Sequence, residues 1–133
     1  MRVVVDASTT LSFVLDDERD ETVNFMLSTL RRARMVVPAI WPYEVANGLV
    51  NAQRRRRIDE AGMAEAMQLL EHLDIEPDAA PPSIADTVQM ARAQRLSSYD
   101  ALYVMLAQRE GIALVTRDND MIRAAKALQV HVL

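Results

Sequence analysis

Four acidic residues stand where the chain could assemble a chemical site. Asp6 ends the apolar run RVVVD, and Asp118 follows the apolar run IALVT by two residues. Glu44 and Asp100 each fall in the first turn of a predicted helix. Two carboxylates about 4 Å apart repel by about 4 kcal/mol at an effective dielectric of about 20. Converging acids would therefore take up protons or hold a cation.

An oxygen-only donor set suits a hard cation such as Mg²⁺ or Mn²⁺. Zinc is disfavoured, because the sequence has no cysteine and its two histidines lie away from the acids. His72 falls at the end of a predicted helix, and His131 falls in the last predicted strand. A magnesium ion held by a few carboxylates commonly serves phosphate chemistry by activating water and neutralising the developing charge.

The scarcity of histidine and lysine favours water as the nucleophile. Cleavage of RNA through its 2′-hydroxyl needs a positioned general base and acid, often His or Lys, and Lys126 is the only lysine. Metal-activated water would leave a 5′-phosphate rather than a cyclic phosphate. Ser8 and Thr116 could orient that water or the outer ligands of the metal.

Each acid also has a purely structural interpretation. Asp6 could simply end a strand, and Asp100 and Glu44 could complement the helix dipole in a first turn. Either Asp118 or Asp120 could be the N-cap of the last helix. Taken together, the structural interpretations require four acids to fall by chance at strand ends and helix starts where a ligand could bind. A shared site is therefore the favoured interpretation.

The apolar pattern predicts an α/β fold. Short β-branched runs without alternation are typical of strands that are covered on both faces. The predicted strands span residues 2–6, 33–39, 73–77, 112–116 and 130–133, with helices between them. Strands alternating with helices indicate a parallel sheet between helical layers. Ligands in such sheets bind beyond the carboxyl ends of the strands, so Asp6 and Asp118 share a crevice if the first and fourth strands are neighbours.

Composition predicts a single globular domain over residues 1–133, half of which are apolar. The formal net charge of −4 does not indicate a broad basic surface for nucleic acid. The absence of cysteine is compatible with a reducing cytoplasm. An acid at position 6 comes too early for a signal peptide, and no apolar run is long enough to span a membrane. A cytoplasmic protein without a membrane partner is expected.

Two features permit more than one interpretation. The run Arg54 to Arg57 could contact phosphate, or it could form a solvated helix end whose cations complement the dipole. Trp41, Tyr43, Tyr99 and Tyr103 could stack on bases, but core packing is expected for most of them.

Four stretches, in this order, resemble the PIN-domain family, and most closely the VapC-type toxins of bacterial toxin–antitoxin pairs. They are VVVDAS at 3–8, VPAIWPYEVANGL at 37–49, LSSYDALYVMLAQREG at 96–111 and LVTRDNDMIRAAKAL at 114–128. Each motif alone is only modestly specific for the family, whereas all four in this order are strong evidence for the resemblance. The resemblance covers essentially the whole chain.

The resemblance implies a three-layer α/β/α sandwich with a parallel sheet of about five strands. It implies a Mg²⁺- or Mn²⁺-dependent endoribonuclease site at Asp6, Glu44, Asp100 and Asp118. Such toxins commonly cut tRNA or rRNA and stop translation, form homodimers, and are neutralised by a VapB antitoxin. Asp120 stands where similar toxins often carry no acid; it could share the metal, but capping of the last helix is favoured.

Other functions fit the sequence less well. Haloacid-dehalogenase phosphatases require a second acid two residues after the strand-end Asp, where this chain has Ser8. Response-regulator receivers require a lysine near the end of the last strand, whereas Lys126 falls inside a predicted helix. A catalytically silent PIN-like module that binds RNA or protein is the remaining alternative.

Overall fold

The computed structural model describes residues 1–133 as strands alternating with helices. The strands are β1 (Arg2–Val5), β2 (Arg34–Val37), β3 (Ile75–Pro77) and β4 (Ala113–Val115). The α-helices are α1 (Ala7–Val14), α2 (Glu21–Leu30), α3 (Trp41–Arg54), α4 (Glu60–Glu71), α5 (Ile84–Gln94), α6 (Ser98–Glu110) and α7 (Asn119–Ala127), and a 3₁₀ turn spans Asp16–Glu18. No helix is long and apolar enough to cross a membrane.

The four strands form one parallel sheet in the order β3-β2-β1-β4, flanked by helices as the sequence predicts. In the register of the sheet, Val4 of β1 lies opposite Val36 of β2 and Leu114 of β4. The sheet grows from β1 toward β2 and β3 on one side and toward β4 on the other. The order therefore reverses beside β1, which is where open α/β sheets bind ligands.

The predicted fifth strand is reduced to a single bridge. Leu114 N donates to the His131 carbonyl at 2.8 Å, and Leu133 N donates to the Leu114 carbonyl at 3.0 Å. Gln129 has a left-handed backbone with a φ of 58°, so the chain turns just before this segment. Val132 makes one isolated parallel bridge to Leu114, in place of the strand predicted over residues 130–133.

The core lies around β1 and between the sheet and its helices. The side chains of Val3, Val4 and Val5 are at most 1% exposed, as expected of a strand covered on both faces. They belong to a cluster of 27 buried hydrophobic residues that also includes Tyr103 of α6. Packing in this core fixes the carboxyl ends of β1 and β4 and the start of α6 relative to one another.

Helices α1 and α3 pack against each other at close range. Gly48 permits this contact, because an added Cβ there would collide with the side chain of Leu11. The start of α3 is also tied to the start of α1, since Trp41 Nε1 donates to Thr10 Oγ1 at 3.0 Å. Thr10 Oγ1 in turn donates to the Asp6 carbonyl at 3.0 Å. These contacts set the position of the first turn of α3 relative to the end of β1.

Candidate active site

Asp6 is fixed where β1 ends. Its side chain is buried, and its backbone N donates to the Val115 carbonyl of β4 at 3.3 Å. Its Oδ1 accepts from Thr9 N at 2.9 Å, so Asp6 is the N-cap of α1, a role that the sequence did not reveal. Its Oδ2 accepts from Thr116 Oγ1 at 2.6 Å and from Ser8 Oγ at 3.4 Å. The two supporting hydroxyls predicted from the sequence therefore both contact this carboxylate.

Asp118 lies beside Asp6 because Thr116 bridges them. Thr116 Oγ1 accepts from Asp118 N at 3.1 Å, and Asp118 Oδ1 accepts from Met121 N at 2.9 Å. Asp118 is thus the N-cap of α7, and the preferred capping role for Asp120 is wrong. The physical reason is that Asp120 already lies in the first helical turn, whereas an N-cap has extended backbone. The exposed Asp120 accepts instead from Arg123 Nη1 at 2.7 Å.

Asp100 reaches the same region from the start of α6. Ser97 is the N-cap, and its Oγ accepts from Asp100 N at 3.1 Å. Burial raises the pKa of the half-buried Asp100 carboxyl, and the like charge of Asp118 raises it further. Glu44 and Asp6 also raise the pKa of Asp100. These three charges act on Asp100 because their carboxylates lie in its neighbourhood at the edge of the sheet.

Glu44 is held by a residue that the sequence did not assign to the site. Its Oε1 accepts from the Tyr103 hydroxyl at 2.7 Å, which joins α3 to α6. Burial and the neighbouring Glu44 carboxylate both raise the pKa of Tyr103, so the phenol stays protonated. The available signal was spacing, because Tyr103 lies three residues after Asp100 and therefore on nearly the same face of α6.

The aromatic residues divide into two classes. Trp41 and Tyr103 are buried, as the core interpretation expects. Tyr43 is 71% exposed and Tyr99 is 56% exposed, so core packing is wrong for these two. Each lies in the first turn of its helix, Tyr43 in α3 and Tyr99 in α6. Tyr43 directly precedes Glu44, and Tyr99 directly precedes Asp100.

The run Arg54 to Arg57 lies far from the acids. Arg54 follows Glu44 by ten residues on α3, a distance of about 15 Å along the helix axis. Arg57 binds the 3₁₀ turn, because its Nε and Nη2 donate to the Asp17 carboxylate at 2.8 and 3.0 Å. Arg57 Nη2 also lies 3.2 Å from Glu18 Oε2. This ion pairing supports the structural interpretation for Arg57.

The donor chemistry fits a hard divalent cation, but the side chains do not form a ready-made cage. No group of three or more His, Asp or Glu side chains is spaced to hold a metal ion. Mg²⁺ in proteins commonly uses one or two carboxylates and keeps several waters. The residues therefore fit an ion that is partly hydrated. Such an ion would offset the charges of Asp118, Glu44 and Asp6, which add to burial in raising the pKa of Asp100.

Comparisons with known proteins match this chain over nearly its whole length. The family model of the PIN domain matches residues 3–127. The chain is 30% identical over 133 residues to Ribonuclease VapC3 of Pyrobaculum aerophilum, covering 96% of this chain and 98% of that protein. The crystal structure of PAE2754 from Pyrobaculum aerophilum matches with a TM-score of 0.72 at 20% identity, over 99% of this chain and 83% of that one. VapBC2 from Rickettsia felis, bound to a DNA fragment from its promoter, matches with a TM-score of 0.68 at 15% identity, over 100% and 98%.

Proposed function

The chain belongs to the PIN-domain family, and from that premise we propose that it is a VapC-type, metal-dependent endoribonuclease. The observation that carries the proposal is that four acids lie in one region at the carboxyl edge of β1 and β4, where Thr116 joins Asp6 to Asp118 and the charges of the other three act on Asp100. They are Asp6, Glu44, Asp100 and Asp118, and the last three come from three different helix starts. Burial and the neighbouring carboxylates raise the pKa of Asp100, as expected where a cation is to be bound.

Asp6, Asp100 and Asp118 would hold Mg²⁺ or Mn²⁺, with Glu44 as a further ligand or as the group that positions water. When bound, the ion would activate water and offset the charge that develops on the phosphate. Asp6 is oriented for this role by the Thr9 amide and the Thr116 hydroxyl.

The substrate would be RNA, with tRNA or rRNA as the favoured class. Attack of water on phosphorus would break the bond to the 3′-oxygen, leaving a 5′-phosphate and a 3′-hydroxyl. Cleavage of such RNA at a few sites would stop translation. A relative named as a ribonuclease supports this activity.

A VapB-type antitoxin is the proposed protein partner, and a homodimer is the proposed assembly. The fold likeness to VapBC2, which was crystallised as a complex, supports the antitoxin. Co-expression with the product of an adjacent antitoxin gene should yield a complex that no longer cleaves RNA. Light scattering of the free protein would test the dimer.

The experiment uses metal-free protein, added Mg²⁺ or Mn²⁺, and a broad panel of RNAs, with sequencing of the new 5′-phosphate ends. Asp6→Asn and Asp100→Asn should each lower cleavage by at least about 100-fold. Without metal, Asp100→Asn should be at least as heat-stable as the wild type, because the change removes a charge disfavoured by burial and by its neighbours.

Asp86→Asn is a matched control. Asp86 is the third residue of α5 and its N donates to the N-cap Ser83, just as Asp100 is the third residue of α6 and donates to Ser97. Asp86 is exposed, and this variant should cleave normally. Unchanged activity in both Asp6→Asn and Asp100→Asn would refute the site. Mn²⁺ binding without cleavage of any RNA would favour the silent binding module.

A further inference from the structure

We propose that Tyr103 is a positioning residue, whose hydroxyl orients the Glu44 carboxylate toward the ion and water of the proposed site. This inference rests on the proposed function. It concerns a residue on the buried side of the acid cluster, where the Tyr103 hydroxyl donates to Glu44 Oε1 at 2.7 Å.

The phenol is a rigid donor. Tyr103 is 1% exposed, and its ring belongs to the hydrophobic core cluster, so packing fixes where its hydroxyl points. Helix α6 therefore delivers two groups to the site, the Asp100 carboxylate and, one turn later, the hydroxyl that holds Glu44.

Glu44 needs such a donor. Its side chain is half-buried, and the bond from Tyr103 is the only side-chain hydrogen bond that it makes within the chain. It forms no salt bridge, although the molecule contains many arginines. A Glu side chain has several rotatable bonds, and fixing them in advance reduces the entropy lost when the carboxylate binds an ion or water.

Tyr103→Phe tests the proposal, because it removes the hydroxyl and keeps the ring. Isothermal titration of the metal-free protein with MnCl₂ should show an affinity about 10-fold lower, within the range for groups that orient metal ligands. RNA cleavage should show a kcat about 10-fold lower with little change in KM, since the substrate contacts remain.

Ser12→Ala is the matched control for the loss of a buried hydroxyl. Ser12 Oγ donates to the Thr9 carbonyl at 2.6 Å and contacts none of the four acids. A merely structural role for Tyr103 predicts that both variants lose a similar amount of thermal stability and keep the Mn²⁺ affinity. The positioning role predicts that Tyr103→Phe alone loses Mn²⁺ affinity.

A double-mutant cycle tests whether Tyr103 changes the Mn²⁺ affinity through Glu44. In a Glu44→Ala background, Tyr103→Phe should change the Mn²⁺ affinity by less than about 2-fold, because Tyr103 acts through Glu44. An unchanged Mn²⁺ affinity in Tyr103→Phe, additive effects in the cycle, or a wild type that does not bind Mn²⁺ would each overturn the proposal. If the wild type binds Mn²⁺ but cleaves no RNA, the proposed function fails while the titration still decides the role of Tyr103.

Discussion

The hydroxyl of Thr116 holds the Asp6 carboxylate and the turn before α7 together. Thr116 is 4% exposed; its Oγ1 donates to Asp6 Oδ2 at 2.6 Å and accepts from Asp118 N at 3.1 Å. Thr116→Val keeps the branched shape and removes both bonds. The buried Asp6 carboxylate would keep only the Thr9 amide and a long contact to Ser8.

The expected loss of stability follows from these contacts. A hydrogen bond to a charged group contributes about 1.5–3 kcal/mol. The half-exposed Asp118 can recover part of its lost backbone bond from water, so that loss adds at most about 1 kcal/mol. The sum is about 1.5–4 kcal/mol, a large part of the roughly 5–15 kcal/mol that stabilises a domain. At roughly 3–5 °C per kcal/mol for a chain of this size, the melting temperature should fall by roughly 5–20 °C.

Thr9→Val makes the same chemical change, but we expect it not to lower the free energy of unfolding. Thr9 is 1% exposed, and its Oγ1 has no hydrogen-bond partner. Because burying an unpaired hydroxyl is itself unfavourable, its removal should be neutral or stabilise by up to about 1 kcal/mol. Urea unfolding of the metal-free proteins measures both, with Thr116→Ser as the variant that restores the donor. If Thr9→Val destabilises as much as Thr116→Val, the bond to Asp6 is not the cause.

Two further predictions concern the Asp78–Arg109 ion pair and the two exposed tyrosines. Burial alone would raise the pKa of Asp78, but the Arg109 hydrogen bond at 2.6 Å holds it below its usual range. A lowered pKa stabilises the fold above the unfolded value of about 4 and loses this effect as the pH falls further. Arg109→Met should thus melt below the wild type at neutral pH, with a deficit that shrinks below about pH 4; a constant deficit would contradict this. Tyr43→Ala and Tyr99→Ala should each raise KM for single-stranded RNA about 5-fold or more, since a stacked base contributes about 1–3 kcal/mol; unchanged RNA affinity in both would place the bases elsewhere.

Local patterns in the sequence were sufficient for the first four strands, for the helices between them and for the position of each acid along the chain. The β-branched run before Asp6 predicts a covered strand, and Val3 to Val5 are buried in one. Ser97 precedes Asp100 at the spacing of an N-cap, and its side chain makes that bond. These features depend on residues within about one turn of each other, so the sequence contains all the information they require.

The tertiary structure alone decided which groups support the acids. Thr116 contacts Asp6 across 110 positions, and Tyr103 contacts Glu44 across 59. Both contacts follow from the strand order β3-β2-β1-β4 and from the packing of α3 on α1 and of α6 on β1, which no local pattern specifies. The same holds for the last segment, where Val132 makes one bridge instead of a strand. Burial of the whole core selects these long-range partners, and so determines how the acids are oriented, whereas local propensity determines only where along the chain they stand.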